Sequence, residues 1–375
     1  MFGHMGDMSW HLGAFPKCLG KKPSPPLARA GSQDFPEEEF LLSLRKVPLV
    51  WVVHRKWGGS LSFVHSGTPA SVREKVLRVK QNTPSATALL IAKSQLLLAD
   101  EALFAGIVDR TRANFYRRFV EAAIGTPWHL TLVNRNWLKF IQRISLPGLY
   151  LHYALRKRCI EQVTREFLET AQIQQVVGIA SGFDPLLAML CEHFKKVEFF
   201  ELDHPATQQA KRAVLQSINN LTLLPIDLTN QSVFDVLHGT GFSPEKPTLF
   251  IAEGITMYLD EQEIRRFFGH IQSCTVAVNS YFLFTYMNKQ SSGSIQFESA
   301  TKWVEWWLWL KKEVFKWGIA TEDLPDFLSA MGYRFVRVFD ADSLTKKYLA
   351  SQGGKNRILA RGENICLAQI FRGSF

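Results

Sequence analysis

Residues 175–205 read Gln-Val-Val-Gly-Ile-Ala-Ser-Gly-Phe-Asp-Pro-Leu-Leu-Ala-Met-Leu-Cys-Glu-His-Phe-Lys-Lys-Val-Glu-Phe-Phe-Glu-Leu-Asp-His-Pro, and this segment carries the strongest structural signal in the chain. An apolar run at 176–179 is typical of a buried strand, and small residues form a turn directly after it. Apolar residues then recur at helical spacing over 185–194, and a second apolar run, 197–202, ends in Asp203. The order of strand, tight turn, helix, strand and acid predicts a nucleotide-binding βαβ unit.

The turn and the acid indicate which kind of ligand such a unit would take. The dinucleotide pattern G-x-G-x-x-G is absent, because Gly178 and Gly182 are four residues apart and Pro185 stands where a third glycine would be. Asp203 follows Gly182 at nearly the spacing of about 20 residues that is typical of a ribose-binding acid. A nucleoside without phosphate groups therefore fits better than a dinucleotide, and S-adenosylmethionine is the leading candidate.

These residues resemble the leucine carboxyl methyltransferase-like family of class I S-adenosylmethionine-dependent methyltransferases. The family's first motif, V-V-x-L-G-A-G-L-D-T, corresponds to residues 176–185, and its acidic strand end, F-E-x-D-x-P, corresponds to residues 200–205. The resemblance implies that Ala180, Gly182 and Asp203 contact the cofactor. Ala180 replaces the first motif glycine, and because alanine disfavours a positive φ, cofactor affinity could be lower here than in the family.

A basic segment before the first strand extends the resemblance. Residues 155–161, Leu-Arg-Lys-Arg-Cys-Ile-Glu, resemble the family's R-x-R-x-x-D segment, in which an arginine binds the carboxylate of the methionine moiety. A guanidinium suits a carboxylate because it can donate two parallel hydrogen bonds. We prefer Arg156 to Arg158 for this role. The alternative is an exposed basic helix face.

The ends of the third and fourth predicted strands supply further candidates. Asp227 and Leu228 correspond to the family's acidic-leucine pair, which the resemblance places beside the adenine. Glu253 and Tyr258 belong to a segment that matches the family's E-G-x-x-x-Y-L, which implies a cofactor role for Glu253 and a substrate-positioning role for Tyr258. Without the resemblance, Asp227 reads as a helix cap or turn residue, Glu253 as a turn cap and Tyr258 as a core residue.

The resemblance covers residues 84–375 and implies an α/β, Rossmann-like class I methyltransferase fold. This fold has a mostly parallel seven-stranded sheet whose last hairpin is reversed. We predict a partly disordered N-terminal extension at 1–83, a helical cap region at 84–170 and a cofactor-binding methyltransferase domain at 171–375. A fifth strand is expected at 275–284.

A helical insertion is expected after the fifth strand, at about 286–320. Its apolar residues recur at helical spacing: Trp303, Trp306, Trp307, Leu310, Val314 and Trp317. Such a face is usually buried, which favours a core or lid helix over the active site. An aromatic substrate pocket and a membrane-surface helix are the alternatives.

Composition narrows the class of protein further. The formal net charge of +10 indicates either a solvated basic surface or an acidic partner, and without a nucleic-acid motif we expect no nucleic-acid partner. No apolar run reaches about 18 residues and no signal-peptide pattern is present, so neither a transmembrane segment nor secretion is expected. The five cysteines have no metal or redox spacing. A cytoplasmic protein without a metal site is the simple interpretation.

The resemblance implies methyl transfer from S-adenosylmethionine to an oxygen of a small molecule or protein, with a carboxylate preferred to a hydroxyl. A carboxylate is ionised at neutral pH, so it needs no general base and catalysis is chiefly positioning. A hydroxyl would require a base, and His204 is expected to begin a helix instead. A methyltransferase-fold binding or regulatory protein is the alternative class, which Ala180 and the N-terminal segment motivate. The sequence specifies neither the acceptor nor the oligomeric state.

Overall fold

The computed structural model describes most of the chain beyond the N-terminal segment. The described residues are 84–371 except 102–103, 105, 130, 132, 134, 137–138, 141–145, 216–217, 299, 301–313 and 351–356. The described residues all belong to the second of the two units into which the chain divides, Thr68–Phe375. The predicted N-terminal extension and residues 301–313 of the predicted helical insertion lie outside the described residues. Val314 and Trp317, which were predicted on the apolar face of that helix, lie in a segment without helical structure.

The second unit contains a seven-stranded sheet in the order β3-β2-β1-β4-β5-β7-β6. Strands β1 to β5 are parallel to one another, whereas β7 is antiparallel to both β5 and β6. The predicted mostly parallel sheet with a reversed last hairpin is therefore confirmed. The strands are β1 (Gln175–Ile179), β2 (Glu198–Asp203), β3 (Leu221–Pro225), β4 (Thr248–Ala252), β5 (Tyr281–Met287), β6 (Tyr333–Phe339) and β7 (Glu363–Ile370).

Helices flank this sheet and precede it. The described α-helices are α1 (Ala86–Ala99), α2 (Arg110–Ile124), α3 (Leu149–Thr170), α4 (Leu186–His193), α5 (Pro205–Val214), α6 (Val233–Leu237), α7 (Glu261–Cys274), α8 (Leu324–Ala330) and α9 (Ala341–Tyr348). A 3₁₀ turn, Thr256–Tyr258, lies between β4 and α7. His204 is the N-cap of α5, as expected from the sequence.

The central strands β1, β4 and β5 are buried on both faces, which explains their apolar runs. On one face Val176 and Leu249 join an apolar cluster with Leu155 of α3. On the other face Val177 and Phe250 join a cluster with α7 and α8 residues. The alternation of strand residues between the two clusters follows from the two-residue period of a strand. The sheet therefore holds the carboxyl ends of β1, β2 and β4 rigidly along one edge.

The predicted bounds of the fifth strand were wrong. We predicted 275–284, but α7 continues to Cys274 and β5 begins only at Tyr281. The intervening loop contains Val276 and Val278, which are 52% and 79% exposed, and Asn279 adopts a φ of +68°. The two valines led to the wrong prediction, because apolar content alone does not distinguish an exposed loop from a buried strand.

Candidate functional site

The turn after β1 adopts the left-handed backbone that its small residues suggest. Ala180 and Gly182 have φ values of +53° and +55°. The Ala180 N–H donates to the Leu202 carbonyl at 2.8 Å, which joins the turn to the end of β2. A Cβ on Gly182 would lie 3.3 Å from the Ala88 Cβ of α1, closer than most such contacts. Both the left-handed backbone and the close approach of α1 therefore favour glycine at position 182.

Asp203, at the end of β2, closes the same turn. Its Oδ2 accepts a hydrogen bond from the Gly182 N–H at 2.6 Å, and its Oδ1 accepts from the His204 N–H at 2.7 Å. The side chain is largely buried, and burial raises its pKa above the ordinary value of a carboxyl group. The predicted ribose acid therefore lies beside the glycine turn and is held by two backbone donors.

Arg156 lies at the carboxyl edge of the sheet, in contact with two carboxylates. Its Nε and one terminal nitrogen donate to Glu253 Oε1 at 2.8 and 2.5 Å, and its other terminal nitrogen donates to Glu363 Oε2 at 2.5 Å. The guanidinium also covers the Tyr153 ring at 4.8 Å. Arg158, by contrast, is 41% exposed and pairs with Glu161 on its own helix. The structure brings Arg156, and not Arg158, together with Glu253.

Lys157 connects this group of charges to Asp184, two residues after the glycine turn. Its Nζ donates to Asp184 Oδ2 at 2.7 Å and to Glu253 Oε1 at 2.9 Å. Burial alone would raise the pKa of Asp184, but Lys157 and Arg112 lower it to about 2. Burial alone would lower the pKa of Lys157, but Asp184 and Glu253 raise it above its ordinary value. Both partners are therefore charged at neutral pH.

A tyrosine without a hydrogen-bond partner lies within the same charged cluster. Tyr116 of α2 is 1% exposed, and its hydroxyl makes no hydrogen bond within the described part of the chain. The hydroxyl interacts electrostatically with Asp184 and Lys157, and burial raises its pKa. A buried hydroxyl without a partner is unfavourable, so this one is a ready donor for a polar ligand.

The remaining predicted residues lie in different surroundings. The Asp227 carboxylate accepts hydrogen bonds from the Thr229 N–H and hydroxyl and from the Asn230 amide, an arrangement typical of an Asx turn. These bonds, with the Thr229 hydroxyl as the main cause, lower its pKa. Leu228 follows it and is partly buried. Tyr258 ends the 3₁₀ turn and packs against Phe315 at 5.7 Å between ring centroids.

Three charged or polar residues of this edge have no signal in the sequence motifs. Glu363 begins β7 and pairs with Met287 at the end of β5, so the reversed strand brings it to the ligand edge. His152 lies on α3 one turn before Arg156 and contacts Glu363. Lys157 occupies the unspecified position between the two arginines of the motif. The expected reversal of the last strand could have identified Glu363, because an antiparallel β7 places its first residue beside the last residue of β5.

The site residues fit the chemistry of the cofactor that the motifs suggest. Asp203 offers a carboxylate to ribose hydroxyls, and Arg156 offers a guanidinium to a carboxylate. The unpartnered Tyr116 hydroxyl and the charged groups around it suit an amino-acid moiety, which carries charges of both signs. The small residues of the turn at 180–182, which is left-handed at Ala180 and Gly182, let the backbone approach a ligand closely. The strand order and this edge together define a Rossmann-like class I methyltransferase fold.

Comparison with known proteins agrees with the motifs. Residues 104–272 match the family model described as "Leucine carboxyl methyltransferase". The resemblance of this chain to the leucine carboxyl methyltransferase family is thereby confirmed over those residues.

Curated relatives match shorter parts of the chain. A Bacillus subtilis protein, YktD, named as a candidate S-adenosyl-L-methionine-dependent methyltransferase, is 29% identical over 153 residues, covering 38% of this chain and 49% of the relative. Leucine carboxyl methyltransferase 1 of Candida albicans is 26% identical over 184 residues, covering 40% of this chain and 49% of the relative. A Mycobacterium tuberculosis protein with a similar name to YktD is 38% identical over 100 residues, covering 25% and 31%. The chain thus spans about half, or less, of the curated relatives that it matches.

None of the helices in the described part of the chain combines the length and apolar character that crossing a membrane requires.

Proposed function

We propose that this protein is an S-adenosylmethionine-dependent O-methyltransferase that transfers a methyl group to a carboxylate or hydroxyl oxygen of a small molecule or protein. The observation that carries the proposal is the pairing of the left-handed glycine turn with Asp203, through the 2.6 Å hydrogen bond from the Gly182 N–H. This pairing joins the two halves of the βαβ unit where a nucleoside would bind. The match of residues 104–272 to the leucine carboxyl methyltransferase family supports the same activity.

Each predicted residue has a distinct role in this proposal. Asp203 accepts hydrogen bonds from the ribose hydroxyls, and Arg156 binds the carboxylate of the methionine moiety. Glu253 orients Arg156 through the two hydrogen bonds that its Oε1 accepts. Asp227 and Leu228 contact the adenine.

For this reaction the protein has mainly to align the acceptor oxygen with the methyl group of the cofactor. When bound, S-adenosylmethionine supplies a methyl group on a positively charged sulfur, so the acceptor needs only an electron pair and the correct direction of approach. Tyr258, on the 3₁₀ turn after β4, is a candidate to position that acceptor. Holding two reactants in line can contribute roughly 7–11 kcal/mol to lowering the barrier.

Ligand-induced thermal stabilisation tests the cofactor assignment. The wild-type protein is heated with and without S-adenosylmethionine or S-adenosylhomocysteine, and Asp203→Ala is treated identically. A ligand at 100 times its dissociation constant contributes about 2.7 kcal/mol to the free energy of unfolding, so a clear rise in Tm is expected for the wild type and its loss for the variant.

The matched control is Asp235→Ala, which removes an exposed carboxylate from α6 and should keep the full ligand-induced shift. Each shift is measured against the same variant without ligand, which separates binding from any loss of stability. A folded wild-type protein that shows no shift at millimolar S-adenosylhomocysteine contradicts the proposal. Binding without methylation of any carboxylate or hydroxyl acceptor would favour a binding or regulatory protein instead.

A further inference from the structure

A buried histidine–carboxylate pair lies next to the proposed cofactor site. His152 of α3 is completely buried, and its Nε2 lies 3.1 Å from Glu363 Oε2. The other ring nitrogen, Nδ1, is buried and has no hydrogen-bond partner among the described residues. Neither residue has a role in the function proposed above. A buried ring nitrogen without a partner is rare enough to require an explanation.

The protonation of Glu363 determines which ring nitrogen carries the proton. Burial alone would raise the pKa of this carboxyl, but Arg156 and His152 lower it to about 2. Glu363 is therefore ionised at neutral pH and can only accept hydrogen bonds. His152 must then donate its Nε2–H to Glu363. In a neutral imidazole this leaves a lone pair on Nδ1, which can accept a proton.

The pair lies at the edge of the sheet where a ligand would bind. Glu363 Oε2 accepts hydrogen bonds from both His152 and Arg156, and Arg156 in turn contacts Glu253 at the end of β4. Glu363 therefore connects His152 with Arg156, a predicted cofactor-binding residue. On α3 it lies one helical turn before Arg156, on the same side of the helix.

A series of packed aromatic rings connects His152 with Tyr258, the candidate for positioning the acceptor. The His152 ring packs edge-on against Phe297 at 5.9 Å, Phe297 packs against Phe315 at 6.1 Å, and Phe315 packs against Tyr258 at 5.7 Å. Leu146 and Met257 belong to the same apolar cluster. His152 therefore borders a buried apolar cluster that extends to Tyr258, the candidate for positioning the acceptor.

We propose that His152, oriented by Glu363, is the general base of a hydroxyl methyltransferase. This inference rests on the proposed function and narrows its acceptor to a hydroxyl. The acceptor O–H proton moves to His152 Nδ1 as the oxygen electron pair forms a bond to the methyl carbon. The carbon–sulfur bond breaks and its electron pair stays on sulfur. The products are a methyl ether, neutral S-adenosylhomocysteine and a protonated His152, which ionised Glu363 stabilises.

The preference for a hydroxyl follows from what each acceptor needs. A carboxylate is already ionised at neutral pH and gains nothing from a base, whereas an alcohol or phenol must lose its proton during the transfer. A general base placed in this way contributes typically 10²–10⁴-fold to a rate. His152 and Glu363 have this arrangement of base and orienting carboxylate, since Nδ1 has no hydrogen-bond partner in the described part of the chain. The sequence analysis preferred a carboxylate, which needs no general base, and the motifs that carry the resemblance contain neither residue of this pair.

The protonation state of the ring gives a test that does not depend on knowing the acceptor. The protein is labelled with ¹⁵N-histidine, and the His152 signals are identified by their absence in His152→Gln. At pH 7.5 we expect the Nε2–H tautomer, with Nδ1 unprotonated. A proton on Nδ1 would overturn the proposal, because that nitrogen could not then act as a base.

Methyl transfer to matched acceptors gives the second test. Phenol, 4-nitrophenol and benzyl alcohol are compared with benzoate and phenylacetate, using S-adenosylmethionine labelled in its methyl group. In His152→Gln the side-chain amide can still donate to Glu363, but the base is gone. We expect this variant to lose at least 100-fold in the turnover of a hydroxyl acceptor, with the thermal shift by S-adenosylhomocysteine retained.

The matched control is His193→Gln, which replaces an exposed histidine at the end of α4 and should leave turnover unchanged. Methylation of a carboxylate acceptor that His152→Gln does not slow would overturn the inference while leaving the proposed methyltransferase intact. Loss of the thermal shift in the wild-type protein would instead contradict the proposed function itself, so the two failures are distinguishable.

Discussion

Ala180 holds a backbone conformation that alanine does not favour. At φ = +53° its Cβ crowds the following carbonyl, which costs roughly 1–2 kcal/mol relative to a right-handed conformation. Glycine avoids this cost, although it adds entropy to the unfolded chain. We therefore expect Ala180→Gly to raise the free energy of unfolding by about 0.5–1 kcal/mol, measured by urea denaturation.

The sign of that effect is checked by a second alanine. Ala122 lies inside α2, where a right-handed backbone suits alanine, so Ala122→Gly should lower the free energy of unfolding by about 0.5–1 kcal/mol. If both substitutions destabilise the protein equally, the left-handed backbone at residue 180 is not a source of strain.

Lys157 and Arg158 are neighbours in sequence but not in environment. Lys157 is 7% exposed and bonds both Asp184 and Glu253, whereas Arg158 is 41% exposed. Removing one member of a buried ion pair leaves an uncompensated charge and typically costs about 3–5 kcal/mol, whereas exposed pairs contribute about 0–1 kcal/mol. Lys157→Met should therefore destabilise the protein by several times more than Arg158→Met in urea denaturation. Equal effects would contradict this assignment of the buried charge.

The acidic site residues that the sequence predicted lie on different elements from the residues that it missed. Asp203 and Glu253 follow parallel strands that read as apolar runs, so their position at the sheet edge could be predicted. Glu363 and His152 reach the same edge through the reversed β7 and through one face of α3, and neither motif spacing nor periodicity identifies them. Asp227 was found through the resemblance, but its carboxylate lies in an Asx turn that the sequence also allowed.

At the scale of elements, the presence of the strands could be predicted more reliably than their ends. Apolar runs predicted the individual strands and the resemblance implied a mostly parallel sheet, whereas the start of β5 was missed because the loop before it contains two valines. Residues with a specific capping geometry define ends better. Asp260 and Glu263 form a capping box at the start of α7, in which each side chain accepts a hydrogen bond from the backbone N–H of the other residue.

This capping box gives a prediction for α7. Asp260→Ala leaves the Glu263 N–H without its partner and should lower the free energy of unfolding by about 1 kcal/mol. Asp326→Ala in α8, whose carboxylate caps no helix, is the control and should change it by less than about 0.5 kcal/mol. Thermal or urea denaturation of both variants measures the difference. An Asp260 variant that matches its control would mean that water replaces the cap without loss.

At the scale of the whole molecule, a chain of buried ion pairs joins the helices before the sheet to the sheet itself. Arg112 of α2 pairs with Glu161 of α3, and Lys157 of α3 pairs with Asp184 after β1. Arg156 of α3 pairs with both Glu253 after β4 and Glu363 of β7. All four ion pairs are largely buried. Among the carboxylates of this chain, Asp184 and Glu363 have lowered pKa values, whereas burial raises the pKa values of the nearby Glu201 and Asp203. The stability of the molecule in acid is the sum of these opposing effects.

The effect of a lowered carboxyl pKa can be measured separately at Glu363. Its pKa falls from an ordinary value of 4.5 to about 2 in the folded protein, because Arg156 and His152 outweigh the effect of burial. A lowered pKa stabilises the folded state above the unfolded value, and this contribution disappears as the pH falls from 4.5 towards 2. At full strength it amounts to about 3 kcal/mol, since one pKa unit corresponds to about 1.4 kcal/mol.

Comparison of the wild type with Glu363→Gln should therefore show a pH-dependent gap in stability. At pH 6 the wild type should be more stable, and the gap should shrink by about 3 kcal/mol as the pH falls to 2, measured by urea denaturation at each pH. Asp184, Glu201 and Asp203 titrate in both proteins, so most of their contributions cancel in the difference. A gap that stays constant with pH would mean that Glu363 is not held ionised by Arg156 and His152, and the argument that its carboxylate fixes the tautomer of His152 would fail with it.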